Sequence, residues 1–210
     1  GEFIADGQLD NLASCHAALA ALLEQKHPGE QTRLCGFFDH EEVGSTSSKG
    51  AAGSFLADTL QRICQALESD PAAHRRALAR SFLISADMAH AWNPAFASAY
   101  DDEHAVEING GPVIKINANQ RYTTEALSEA IFADLCAAAQ VPVQRYVHRT
   151  DLPCGSTIGP MTAAALGVRS IDVGNPMWSM HSARESAGAA DHGMMIKVMA
   201  EFFTQKPPLL

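Results

Sequence analysis

Leu34-Cys35-Gly36-Phe37-Phe38-Asp39-His40-Glu41-Glu42-Val43-Gly44-Ser45 is the stretch on which the fold turns. Its apolar opening reads as a buried strand, and the run ends in two adjacent carboxylates before a Gly/Ser/Thr-rich loop. Ligands in open α/β sheets gather beyond the carboxyl ends of strands. A Glu-Glu pair placed there can divide its work, one carboxylate binding a metal and its neighbour handling protons. The ordinary alternative is a solvated acidic loop, because ionised side chains are normally exposed.

Working outward, residues 9–26 carry apolar positions at helical spacing and stop at Pro28-Gly29. Asp10-Asn11 stands at the start of that helix, where an N-cap is the default role. Downstream, the spacing predicts helices over 53–67 and 71–79, and a buried strand over 81–86 that ends on Asp87. Residues 93–111 read as a loop, 112–117 as a strand carrying Lys115, 123–140 as a helix and 143–147 as a strand. The loop Asp151-Leu152-Pro153-Cys154-Gly155-Ser156-Thr157 leads into a helix at about 159–166. A strand over 169–173 stops at Gly174-Asn175-Pro176, and a last helix runs to about Gln205, ahead of Pro207-Pro208. Helices and short apolar strands alternate throughout. The expected fold class is α/β, with a mixed, mainly parallel sheet covered by helices on both faces.

A length of 210 residues, 47% of them hydrophobic, suffices for one domain with a substantial core. The formal charge of -9 argues against a nucleic-acid partner, which demands basic stripes. No apolar run approaches membrane-spanning length and no signal-like segment opens the chain, so no membrane association is expected. The five cysteines are odd in number, with no Cys-x-x-Cys pair. That pattern suggests reduced thiols in a cytoplasm.

Several familiar sites are excluded. His40-Glu41 lacks the second histidine of a helical zinc pair, because position 44 is Gly44. Lys49 precedes Gly50 instead of following a glycine, so the loop is no phosphate cradle, and no Gly-x-Ser-x-Gly elbow occurs. What remains is a set of groups at element ends: Asp10, Glu41, Glu42, Asp87 and His181. Oxygen and imidazole donors suit zinc or manganese, and carboxylates can bridge two ions. Taken singly, each is better read in an ordinary role: Asp10 as a helix cap, Asp87 as a turn former and His181 as a core histidine.

Six motifs taken in order lift the reading above these alternatives. They are Asp10-Asn11-Leu12, His40-Glu41-Glu42-Val43-Gly44-Ser45, Ser85-Ala86-Asp87-Met88-Ala89-His90-Ala91, Gly111-Pro112-Val113-Ile114-Lys115-Ile116-Asn117, Pro153-Cys154-Gly155-Ser156-Thr157-Ile158-Gly159-Pro160 and Met180-His181-Ser182-Ala183-Arg184-Glu185. Across essentially the whole chain they resemble the aspartyl aminopeptidase family. The resemblance implies a dinuclear-metallopeptidase domain holding two divalent metal ions, zinc first, with manganese or cobalt as alternatives. It assigns Asp10 as the bridging carboxylate, Asp87 as a ligand of one ion, and Glu42 and His181 as ligands of the other. Glu41 becomes the general base.

The same resemblance implies peptide substrates with a free N-terminus and an acidic first residue. Lys115 would face that residue's carboxylate; its alternative is a surface lysine on an edge strand. His90 and Tyr122 match pocket positions, though a tyrosine at a helix start is equally a packing residue. Gly155 and Ser156 would offer backbone N–H groups to a substrate carboxylate, where an N-cap explains the hydroxyls as well. Family positions often held by histidine are Asn93 and Asn109 here. Family chains are about twice this length, form large homo-oligomers, and carry an N-terminal segment with a further metal-binding histidine and an inserted dimerisation domain. Residues 1–210 are accordingly expected to be the C-terminal part of the catalytic domain. Two competing readings stay open: a dinuclear aminopeptidase of other specificity, and a non-catalytic oligomeric peptide-binding protein on the same fold.

Overall fold

The computed structural model describes residues 1–206; Pro207-Pro208 lies outside them. In chain order the elements are β1 (Phe3–Asp6), α1 (Leu9–Leu23), a 3-10 turn (Glu41–Val43), α2 (Phe55–Ala66), α3 (Pro71–Ala79) and β2 (Phe82–His90). A second 3-10 segment (Pro94–Ala99) precedes β3 (Val113–Ile116), α4 (Ala126–Ala138) and β4 (Gln144–Val147). The chain continues through α5 (Ile158–Leu166), β5 (Arg169–Trp178), β6 (Glu185–Gly188) and α6 (Ala189–Thr204).

The six strands among the described residues join one mixed sheet built around β5. β2 runs parallel along one edge of β5, from Phe82↔Arg169 to His90↔Met177. The other edge is shared: β3 pairs antiparallel at Val173 and Gly174, and β6 antiparallel at Met177 and Trp178. β4 extends the sheet parallel to β3, and β1 extends it antiparallel to β6. The mixed α/β sheet is the architecture expected. Its parallel character is confined to β2–β5 and β3–β4, and the other three pairings are antiparallel.

β5 outruns its predicted end because its breakers fit the ladder. A Cβ on Gly174 would lie 2.6 Å from Asp87 O, so only glycine lets β2 approach there. Met177 O accepts from Ala91 N, which turns Met177 towards β2 and Pro176 towards the opposite edge. Pro176 thus falls between the β3 and β6 pairings, where its missing N–H interrupts no ladder. β2 likewise continues past Asp87 to His90, so Asp87 lies inside a strand and is not a turn former. β1 and β6, each four residues long, went unforeseen.

The stretch 34–38 is the main departure. It has no regular structure and no β partner among the described residues, and Leu34 and Phe37 are exposed. It stands off from the free edge of β2 across a cavity of about 290 Å³, lined from both sides by residues such as Cys35, Phe38, Phe82 and Ile84. An apolar run becomes a strand only where a neighbouring backbone is within ladder distance. α1 is likewise less buried than its pattern suggested: Ala17 and Ala21 are enclosed, whereas Leu12 is 60% exposed.

The main core lies on the sheet face covered by α1, α4 and α6, where Ile114, Phe132, Ile171, Val173, Met195 and Val198 meet. Strand alternation sends Asp172, between Ile171 and Val173, to the opposite face. There it meets the start of α5, accepting from Thr157 Oγ1 at 2.7 Å. Helices therefore cover both faces, and the same alternation turns Lys115 away from the Ile114 core.

Candidate metal centre

Four segments bring the predicted groups together. Asp10 sits between β1 and the regular part of α1, at φ -82° and ψ 107°, outside helical geometry. Its side chain caps no helix; Oδ2 lies 3.1 Å from His181 Nε2. Glu42, on the 3-10 turn, places Oε2 3.2 Å from the same imidazole nitrogen. Ligand atoms of Asp10, Glu42 and His181 all fall within 4.8 Å of one another. His181 occupies the loop after β5 with its side chain 61% exposed, so it is no core histidine.

Asp87, inside β2, is not one of those three but lies beside Asp10, with which it shares a hydrogen bond. Asn11 Nδ2 reaches Asp87 Oδ1 at 3.5 Å, and Lys115 Nζ reaches Asp87 Oδ2 at 3.1 Å. Lys115 also donates to Met88 O at 2.8 Å and lies 4.8 Å from the centre of the Tyr122 ring. At 5% exposure, on a strand between β4 and β5, it is not the surface lysine of an edge strand.

The electrostatics follow from this crowding. Burial, then the charge and hydrogen bond of Asp87, then Glu42, push the Asp10 carboxyl up to about 9, with Lys115 opposing. Burial also works to raise Asp87, but the Lys115 ammonium and the hydrogen bond from Asp10 outweigh it and hold Asp87 below the usual range. Burial followed by Asp87 and Glu42 pushes Glu41 up to about 7, against Lys115 and His181. Burial works to lower Lys115, yet Asp87, Asp172 and Asp10 together keep it above its ordinary value. Four carboxylates thus surround one ammonium and one imidazole, a concentration of negative charge that divalent cations fit. Oxygen donors with a single ring nitrogen are ligands that zinc accepts, and carboxylates bridge paired ions.

The other predicted residues are placed as follows. His90 ends β2, and burial, followed by the charges of Lys115, His148 and His181, pushes its imidazole down to about 4, so it is neutral at physiological pH. Tyr122 is buried with Ala89, Val106, Val113 and Tyr146, which makes it a packing residue as well as the floor beneath Lys115. Ser156 Oγ donates to Arg121 O and Thr157 O, while Thr157 is the residue that caps α5. No hydrogen bond among the described residues links Gly155 or Ser156 to the metal cluster. Glu185 was quoted in a motif but given no role. Its carboxylate accepts from the backbone N–H groups of Asp10 and His181.

The chain is similar to known proteins over nearly its whole length. A probable M18 family aminopeptidase 2 from Pseudomonas paraeruginosa is 49% identical over 202 residues, covering 96% of this chain and 46% of that protein. The chain therefore spans about half the length of the relatives it matches. Among solved structures, one of an Ape4 and Nbr1 complex superposes at a TM-score of 0.91 with 42% identity, covering 97% of this chain and 39% of that one. The S. cerevisiae mApe1 dodecamer superposes at 0.86 with 29% identity, covering 96% and 46%. Residues 1–203 match the family described as aminopeptidase I zinc metalloprotease (M18), and the chain belongs to that family.

Proposed function

We propose that the protein is a metal-dependent aminopeptidase that releases the N-terminal residue of peptides and prefers Asp or Glu in first position. The observation that carries this reading is the convergence of Asp10, Glu42 and His181 within ligand distance of one another, in a chain of a zinc metalloprotease family. Two divalent ions would be held, with Asp10 between them, Asp87 on one, and Glu42 with His181 on the other. Zinc is the expected metal, manganese or cobalt the alternatives. Bound there, the cations would polarise the scissile carbonyl and acidify the attacking water.

The chain's own residues do the rest. Glu41, beside the ligand Glu42 but free of that duty, takes the proton of the attacking water and returns it to the leaving amine. Acidic side chains around the cluster hold the substrate's free ammonium group and so restrict cleavage to the first residue. Lys115 supplies the positive charge for an acidic first side chain, with His90 and Tyr122 as pocket walls and Gly155-Ser156 as backbone donors. Residues 1–210 form part of the catalytic domain. The likeness to a dodecamer supports a large homo-oligomer, and the five free cysteines support a cytoplasmic setting. No helix among the described residues is long and apolar enough to cross a membrane.

A second reading, broader specificity, is favoured by one observation: Lys115 Nζ is engaged with Asp87, so a substrate carboxylate must compete for it. Hydrolysis of dipeptides differing only in the first residue tests both. Turnover should be fastest with Asp or Glu first, vanish when a strong chelator strips the metal, and return on adding zinc. Activity that survives complete metal removal would contradict the proposal. Equal rates across first residues would favour the broader specificity.

A further inference from the structure

β6 is flanked by the two strands that lead to metal ligands. β1 pairs with it through Asp6↔Glu185 and continues to Asp10, while β5 pairs with it through Trp178↔Ser186 and continues to His181. Glu185, the first residue of β6, stands where both continuations leave the sheet, and it is 2% exposed. Its two oxygens take one backbone each: Oε2 accepts from Asp10 N at 3.0 Å and Oε1 from His181 N at 2.7 Å. The side chains of the same two residues meet at 3.1 Å. One buried carboxylate thus fixes the backbones on either side of the gap where a ligand pair forms.

Neither backbone is held there by regular structure. Asp10 is non-helical although α1 is assigned from Leu9, and His181 lies at φ 65°, a left-handed conformation that a residue with a Cβ keeps only when its surroundings impose it. Charge-assisted hydrogen bonds from a buried carboxylate are strong enough to impose it.

We infer that Glu185 is a positioning residue of the metal centre, which holds Asp10 and His181 at ligand separation before any cation arrives. The inference rests on the metal-centre reading above. It predicts a selective effect. The cation site that uses His181 should weaken when the clamp is lost, while the site that uses Asp87, reached from β2, should be affected less. Groups that orient metal ligands typically change affinity by about 10–100-fold when altered.

The test is Glu185→Gln, with Glu185→Asp as a second variant, each compared with wild type by competing Zn²⁺ against a chelator and by the visible spectrum of the Co²⁺-loaded protein. Gln turns an amide NH₂ towards one of the two N–H groups; Asp keeps the charge but is too short to reach both. The expected result is one zinc site weakened about 10–100-fold in Gln and less in Asp, with altered cobalt bands. A merely structural glutamate would lower the melting temperature of the metal-free protein without changing the cobalt bands. Wild-type affinity and an unchanged spectrum in either folded variant would overturn the inference while leaving the metal centre standing. A wild-type protein that binds neither Zn²⁺ nor Co²⁺ would overturn both.

Discussion

Glu41→Gln is expected to lower kcat by about a hundred- to ten-thousand-fold while leaving divalent metal content at its wild-type value. The expectation follows from the 3-10 turn Glu41–Val43, in which about three residues per turn point consecutive side chains apart. Glu42 Oε2 reaches the His181 imidazole and joins the ligand group, whereas Glu41 stays outside it. Burial and the neighbouring carboxylates push Glu41 up to about 7, close to the value suited to accepting and returning a proton near neutral pH. Cations bound beside it would draw that value down and favour the ionised base. The amide keeps the shape but accepts no proton, so chemistry should fail while substrate affinity changes little. Steady-state kinetics with metal analysis of the same sample checks this. A Glu41→Gln protein that lost metal yet kept turnover would exchange the roles of the two glutamates.

Lys115→Ala should lower kcat/KM for peptides beginning with Asp by about 2–4 kcal/mol more than for peptides beginning with Leu. The ammonium is buried, so a carboxylate reaching it interacts through protein and not through water, which strengthens the pairing. The contact between Nζ and Asp87 adds a loss common to all substrates, because the variant leaves the Asp87 carboxylate without its counter-charge. The ratio of kcat/KM between Asp- and Leu-initiated peptides removes that shared part. An unchanged ratio would confine Lys115 to supporting Asp87 and would remove it from the choice of substrate.

Much of this candidate site was legible in the sequence because carboxylate and imidazole side chains able to hold a metal are chemically conspicuous, although Asp87 lies inside β2 and not at an element end. Asp10, Glu42 and His181 are brought together, and Asp87 joins them through its contacts with Asp10 and Lys115. What sequence could not supply was pairing. The run 34–38 has a strand's composition without a ladder partner, whereas Gly174 and Pro176 look like breakers and lie inside the central strand. β1 and β6 are too short to show a period, yet their pairing places Glu185 between Asp10 and His181. Alternation along β3 turns Lys115 away from Ile114, but its partner Asp87 is 28 positions away, beyond any local pattern. The ordinary alternatives for Asp10, Asp87 and His181 were local roles, and each fails on a long-range contact or on exposure.

The most direct test of the account is the number of divalent ions retained per chain by the purified protein, set beside Asp10→Ala and His181→Ala. Two ions in wild type, loss of both in Asp10→Ala and loss of one in His181→Ala, with circular dichroism unchanged, is the predicted result for a carboxylate-bridged pair. A wild-type protein that retains none, or an Asp10→Ala protein that keeps the full complement, would contradict it.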